Sequence, residues 1–395
     1  MEKKVDLIKN INVFNSKGKI ELETATLGLN IFLPTLLLII ISFFQNYELV
    51  SELSILIGVN IILTQIFSAN ARPLIIRSKD EKLVSVIFFF RIFVSIIVFI
   101  INLLLIFNYK TIFSTQLILL ALIILQQWIL EISITYYEIK NKKNIFYFYI
   151  FFSIIFIIFF TVCYLKLTSI NLSLIFYNFF LIFNILLFLK KIKLKKIKKK
   201  YFSNFLKIIF KSEEFISSFS ISFANLIWRL LVINYCGKIL AGIYFAGFAV
   251  GSLPGSLFNN TFGPSIIKNK ISINNNWLLF FKFILILLLF SSFIIFINFD
   301  IFSNGSITQL FCSIISILGS YFMIKGLFKR QQAIQKRKRN KNIFKIDIVY
   351  SIFIVLIIPL LYNLGGEEIV LYAFLFSSLT SFLTYNYLAN KIFNL

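Results

Sequence analysis

The 395-residue chain contains no histidine, which excludes histidine metal ligands, histidine general bases and histidine proton relays. Its three cysteines, Cys163, Cys236 and Cys312, lie in or beside apolar blocks. They are odd in number and have neither disulfide nor metal spacing, so they read as small core residues. Charge is also scarce, at 14% of residues, and only 16 of the charged side chains are acidic against 40 Lys and Arg. Those acids form no paired-carboxylate or nucleophile–base constellation, and nearly all sit at loops or span ends. No glycine-rich phosphate loop followed by Lys and Ser or Thr is present. Bond chemistry and ATP hydrolysis within the chain are therefore not expected, and no cofactor or metal is implied.

What the chain has in abundance is apolar sequence: 59% of residues are hydrophobic, in blocks of roughly 20 residues, the length of helix that crosses the hydrocarbon core. The blocks are apolar all round, where a soluble helix would keep a polar face. The fold class this implies is an all-α integral membrane protein of about twelve spans. Six are expected near 24–44, 49–69, 83–107, 113–134, 145–165 and 168–189, and six near 215–235, 239–263, 277–298, 306–328, 346–363 and 369–390. No small-residue cleavage site follows the charged N-terminal segment, so the first helix is expected to stay.

Charge placement tests this partition. Every even-numbered connection is basic: Arg72 to Lys82, Lys140 to Lys143, the run from Lys190 to Lys211, Lys268 with Lys270, and Lys325 to Lys345. The N-terminal lysines and Lys391 share that side. The opposite side carries Lys110, Lys166 and Lys238, while Arg91, Arg229 and Lys282 fall inside spans. A missed span would break the alternation, so both termini are expected in the cytoplasm. The other connections are too short for a folded outer domain.

The run between the two sets of six spans divides the chain into an N-terminal bundle (1–189), a basic linker (190–212) and a C-terminal bundle (213–395). Within the linker Leu194, Ile197, Tyr201, Phe205 and Ile208 recur at helical spacing among lysines. That pattern suits an amphipathic helix on an anionic leaflet; a plain basic loop that fixes topology is the competing reading. Anionic lipids are thus expected partners, and nucleic acid is not.

A charge inside a span costs at least about 2.5 kcal/mol near the centre and commonly faces a cavity or a partner. Arg91 and Arg229 are the deep ones; Lys282 is shallow enough for its ammonium to reach the interface. With Asn225 they form the expected substrate-binding set. Two deep arginines without a deep carboxylate would leave a cationic interior suited to phosphate, which guanidinium matches with paired hydrogen bonds. The alternative is a structural pair with a span-end carboxylate or with helix-end carbonyls. Pro34, Pro254 with Gly255, and Pro359 interrupt spans and are candidate hinges, static kinks being the competing reading. Small residues recur through Ala241–Gly255 and allow another helix to approach closely.

The stretch Ile227-Trp228-Arg229-Leu230-Leu231-Val232-Ile233-Asn234, followed by Gly237-Lys238-Ile239-Leu240-Ala241-Gly242-Ile243-Tyr244-Phe245-Ala246, resembles the start of the second half in bacterial lipid-linked oligosaccharide flippases. These are the Wzx-like, polysaccharide-export branch of the multidrug/oligosaccharidyl-lipid/polysaccharide superfamily. Phe258-Asn259-Asn260-Thr261-Phe262-Gly263-Pro264 and Ala69-Asn70-Ala71-Arg72-Pro73 look similar to members of that family too. The resemblance implies two helical bundles around a central cationic cavity, with alternating access in a bacterial inner membrane. The implied passenger is an undecaprenyl-pyrophosphate-linked oligosaccharide, with polysaccharide polymerase machinery as a candidate partner. Arg91 and Arg229 map onto the cavity cations. Two other functions stay open: a drug or cation antiporter of the same superfamily, which would use an intramembrane carboxylate, and a polytopic polymerase or ligase, which would carry a sizeable outer loop.

Overall fold

A computed structural model of the chain describes residues 26, 28–30, 32–68, 71–78, 80–108, 115–140, 142–165, 170–192, 205, 213–261, 304–336 and 343–393. Among them the regular elements are all helical: α1 (Phe32–Phe43), α2 (Tyr47–Ser68), α3 (Ala71–Ser78), α4 (Glu81–Asn108), α5 (Thr115–Ile139), α6 (Lys143–Leu165), α7 (Ile170–Lys191), α8 (Glu213–Thr261), α9 (Asn304–Lys336), α10 (Ile343–Ile369) and α11 (Ala373–Phe393), with one 3-10 turn at Val370–Tyr372. Sequence-local chemistry sets the boundaries. Asp80 caps α4, its Oδ1 accepting the Lys82 amide at 2.9 Å. Asn46 Oδ1 accepts the Leu49 amide at 3.3 Å to start α2, after a tight turn in which Gln45 takes a left-handed φ of 59°.

Among the described residues, eight helical segments are long and apolar enough to cross a membrane, and two of them are long enough to cross twice. At 49 residues, α8 would be about 73 Å long if straight, more than twice the hydrocarbon thickness. It breaks at Gly237, whose φ of 75° and ψ of 169° suit glycine. Neighbour contacts show the chain reversing there. Before the break Leu226 and Arg229 lie on Gly58 of α2. After it Gly247, Gly251 and Gly255 meet Cys312, Ser316 and Met323 of α9 in parallel order. The second double pass turns at Gly365 and Gly366, the latter at φ 72°. With α1, and with the ninth expected span (277–298) outside the described residues, the protein is a multi-pass α-helical membrane protein of about twelve spans.

The helices continue through the proline positions. Pro254 and Pro359 lie inside α8 and α10, where the only non-helical residues are glycines 237, 365 and 366. Gly255 is a packing position, since a Cβ there would meet Met323 Sδ at 2.5 Å. Pro34 is buried within α1. Small-residue spacing in the second arm of α8 therefore serves close approach to α9. Of the basic linker only Phe205 is described, buried edge-on against Phe90 of α4 with ring centres 5.3 Å apart.

The helices form two packed sets, α2 with α4–α7 and α8 with α9–α11, joined chiefly by α2 on α8. In the first set Asn60 and Asn102, both sealed, exchange side-chain amide bonds of 2.9 and 3.4 Å. In the second, Asp347 is fully buried and held by Arg330 through Nε to Oδ1 at 3.0 Å and Nη2 to Oδ2 at 2.9 Å. Ser217 donates to Oδ2 and Tyr385 to Oδ1 of the same carboxylate, so one buried acid ties the first arm of α8 to α9, α10 and α11. Apolar side chains such as Phe151 and Phe179 stand outward on α6 and α7, as a lipid-facing surface requires.

Replacing Asp347 by Asn is expected to leave the Arg330 charge uncompensated and to lower stability by about 3–5 kcal/mol. The double variant Arg330→Met, Asp347→Leu should recover most of that loss. Thermal unfolding in detergent, followed by tryptophan fluorescence, checks both.

Candidate functional site

The junction between the two sets is built on one stripe of α2. Tyr47, Ser54, Gly58, Ile61 and Gln65 recur at seven, four, three and four residues, one face of a helix. At its upper end Tyr47 meets the other set by backbone as well as side chain. A Cβ on Gly242 would come within 2.0 Å of the Tyr47 carbonyl oxygen. The Tyr47 hydroxyl donates to Gln309 Oε1 at 3.3 Å, and Gln309 Nε2 donates to Ser42 Oγ at 2.8 Å. Beside the stripe, Lys238 and Glu52 form an ion pair of 3.5 Å.

Further along, Arg229 reaches across the junction and donates through Nη1 to the Ser54 carbonyl. Gly58 makes room for it: a Cβ there would stand 3.0 Å from Leu226 and 3.4 Å from the Arg229 side chain. Past Gly58 the cover ends. Ser54 is 2% exposed, whereas Ile61, seven residues on, is 37% exposed and Gln65 is exposed as well. Asn225, one turn before Arg229 on α8, is exposed. The sets are therefore in contact from Tyr47 to Gly58, and beyond it the same face of α2 is exposed, on the side of the basic connections. Arg229 sits at the last covered turn.

The arginine is unusual in its partners. Guanidinium offers five N–H donors, and among the described residues Arg229 has one acceptor, a neutral carbonyl, and no carboxylate. Its remaining nitrogens are not among the sealed and unpartnered atoms. A guanidinium with spare donors thus stands beside the exposed part of the stripe.

Arg91 is placed differently, and the expectation of an uncompensated charge there is corrected. Its side chain is 1% exposed and its Nη1 lies 2.7 Å from Glu131 Oε2 on α5. The same nitrogen donates to the Trp128 carbonyl, and the guanidinium stacks 4.7 Å from the centre of the Trp128 ring. Trp128 Nε1 in turn donates to Ser68 Oγ at 2.8 Å, joining α2, α4 and α5. The span-end carboxylate considered as an alternative is the one that neutralises it. Arg91 and Arg229 do not share a site. Lys282 lies outside the described residues, and the proline positions lie in helix interiors away from Arg229's contacts.

Sequence reasoning did not single out Ser54, Gly58, Gln65, Glu52 or Gln309. A glycine and two amides within apolar spans were the available signal. Their meaning depends on which helix lies opposite.

No family profile and no curated protein sequence matches the chain. Among solved structures it is similar to an outward-facing multidrug resistance MATE family transporter of the MOP superfamily (TM-score 0.45, 11% identity). It is also similar to a MOP superfamily transporter from Pyrococcus furiosus described as having a binding pocket of reverse polarity (0.49, 10%), and to the MATE transporter ClbM in complex with Rb+ (0.47, 10%). Each comparison covers 95% of both chains.

Truncating Arg91 to Ala should behave as loss of a buried pair, lowering stability by about 3 kcal/mol or more because Glu131 is stranded. Arg91→Met with Glu131→Leu should restore most of it. Arg229→Ala removes no carboxylate's partner and should change the unfolding temperature far less in the same assay.

Proposed function

We propose that the protein is a flippase that moves an undecaprenyl-pyrophosphate-linked oligosaccharide from the cytoplasmic to the periplasmic leaflet of a bacterial inner membrane. The observation that carries this reading is Arg229. It is a guanidinium with donors to spare, held by a single carbonyl at the point where the two helix sets part toward the basic face. The resemblance of the Ile227–Ala246 stretch to oligosaccharide flippases supports the same assignment.

Physics supplies the need. A pyrophosphate with its sugars cannot cross hydrocarbon unaided, because stripping water from a charge without a partner is prohibitive. A polar opening between helix sets, accessible from the bilayer, lets the headgroup pass while the lipid tail stays among lipids. Basic connections on the loading side raise the local concentration of an anionic headgroup. Asn225 and Gln65, exposed near the opening, supply neutral hydrogen-bonding groups suited to sugar hydroxyls. Anionic lipids bind the basic linker in this reading, and a polysaccharide polymerase would take the product on the far side.

The alternative reading is a drug or cation antiporter of the same superfamily. It calls for an intramembrane carboxylate free to take a cation, and among the described residues Glu131 and Asp347 are both held by arginines. Arg91 stays outside the binding set proposed here, since its charge is neutralised within the first helix set.

Arg229→Ala is expected to lower translocation by about 10- to 100-fold, the worth of one charged hydrogen-bond contact, with the protein still folded and abundant in the membrane. Lipid-linked oligosaccharide should accumulate in the cytoplasmic leaflet and surface polysaccharide should fall. Arg229→Lys keeps the charge but not the fork and should be intermediate. Normal surface polysaccharide in the alanine variant would remove Arg229 from the site.

A further inference from the structure

Hydrogen bonds and an ion pair join the two helix sets toward one end of the molecule: Ser42 and Tyr47 with Gln309, Glu52 with Lys238, and Ser54 with Arg229. The close approach of Gly242 to the Tyr47 backbone lies there too, with Gly305 against the Tyr47 ring. This is the end of the turns at Gln45, Gly237 and Gly366, remote from the basic connections. At the opposite end the stripe of α2 that is covered at Ser54 and Gly58 comes open at Ile61 and Gln65.

We propose that this one-sided closure is a latch, and that Glu52–Lys238 and Tyr47–Gln309–Ser42 hold the carrier shut on the face away from the basic loops. The latch belongs to the alternating-access reading above and names the groups that must separate for the second half of the cycle. Two features suit them to it. The Glu52–Lys238 pair is polar and water-accessible, the side chains being 20% and 46% exposed, whereas Tyr47, Gln309 and Ser42 are buried, so water reaches the ion pair first. The latch contacts also adjoin the Arg229–Ser54 contact, so parting the latch withdraws the carbonyl that holds the guanidinium and links release of the gate to a change at the proposed binding group.

The ion pair gives a test independent of the passenger. In a background with Cys163, Cys236 and Cys312 replaced by Ser or Ala, single cysteines are placed at Gln65 (open stripe) and Ser51 (buried near the latch). Each is labelled with a membrane-impermeant maleimide applied to one face of oriented vesicles at a time. Gln65→Cys should react from the basic face. Ser51→Cys should react slowly from the other face. Glu52→Lys, which sets two ammonium groups against each other, should raise Ser51→Cys labelling from that face by about fivefold. The exchange Glu52→Lys with Lys238→Glu should return it to the original rate. Should Glu52→Lys fail to fold, Glu52→Gln should give a smaller rise in the same direction.

Labelling of Gln65→Cys only from the non-basic face would overturn the assignment of the open side. A rate of Ser51→Cys labelling that ignores both Glu52→Lys and the exchange would overturn the latch. Restoration by the exchange, with no effect of any of these variants on lipid-linked oligosaccharide, would uphold the latch and sink the passenger assignment instead.

Discussion

A guanidinium buried among packed helices must find acceptors, and the structure is organised around how three arginines do so. Arg91 and Arg330 each take a carboxylate from a neighbouring helix, Glu131 and Asp347. Asp347 is additionally held by Ser217 and Tyr385. These pairs sit within one helix set each and fasten spans that apolar contact alone would hold loosely, since lipid tails solvate leucine as well as leucine does. Arg229 follows a different rule. It crosses from one set to the other and finds a carbonyl, a neutral acceptor that leaves its charge available. The distinction separates two arginines that build the scaffold from one that stands at the junction of the two sets.

Much of this was legible in the sequence, because the bilayer imposes lengths and charge placement that leave clear traces. The run Glu81–Asn108 reads as a span since its apolar residues go round the helix, and Asp80 marks its start as a cap. The reversals near Gln45, Gly237 and Gly366 fell where apolar blocks met short polar gaps. What was not legible is pairing. Glu131 reads as a span-end carboxylate until α5 is seen to lie against α4, which brings it to Arg91. Asp347 likewise depends on Arg330 of α9, which is 17 residues away in sequence and directly opposite in space.

Glycine and proline also divided differently than local rules suggest. Proline in an apolar helix is a place to expect a bend, yet α8 and α10 pass through Pro254 and Pro359 and break at glycine. A span whose neighbours take up the freed carbonyl can absorb a proline, whereas a reversal of direction needs a residue that tolerates positive φ. The remaining glycines of the second arm of α8 have a different use, admitting α9 at distances no side chain would allow.

The meeting of Gly242 with the Tyr47 carbonyl has a mechanical corollary. Two backbones in contact cannot slide or compress, so the cheapest relative motion available to the two helix sets is a tilt about that point. Because α2 runs about 33 Å from there at 1.5 Å per residue, a rotation of about 10° displaces its far end by about 6 Å. While that contact holds, the fulcrum lies at one extremity of the lever and a small tilt is amplified into a wide change of aperture at Gln65; opening the Tyr47 face instead requires the two backbones to part.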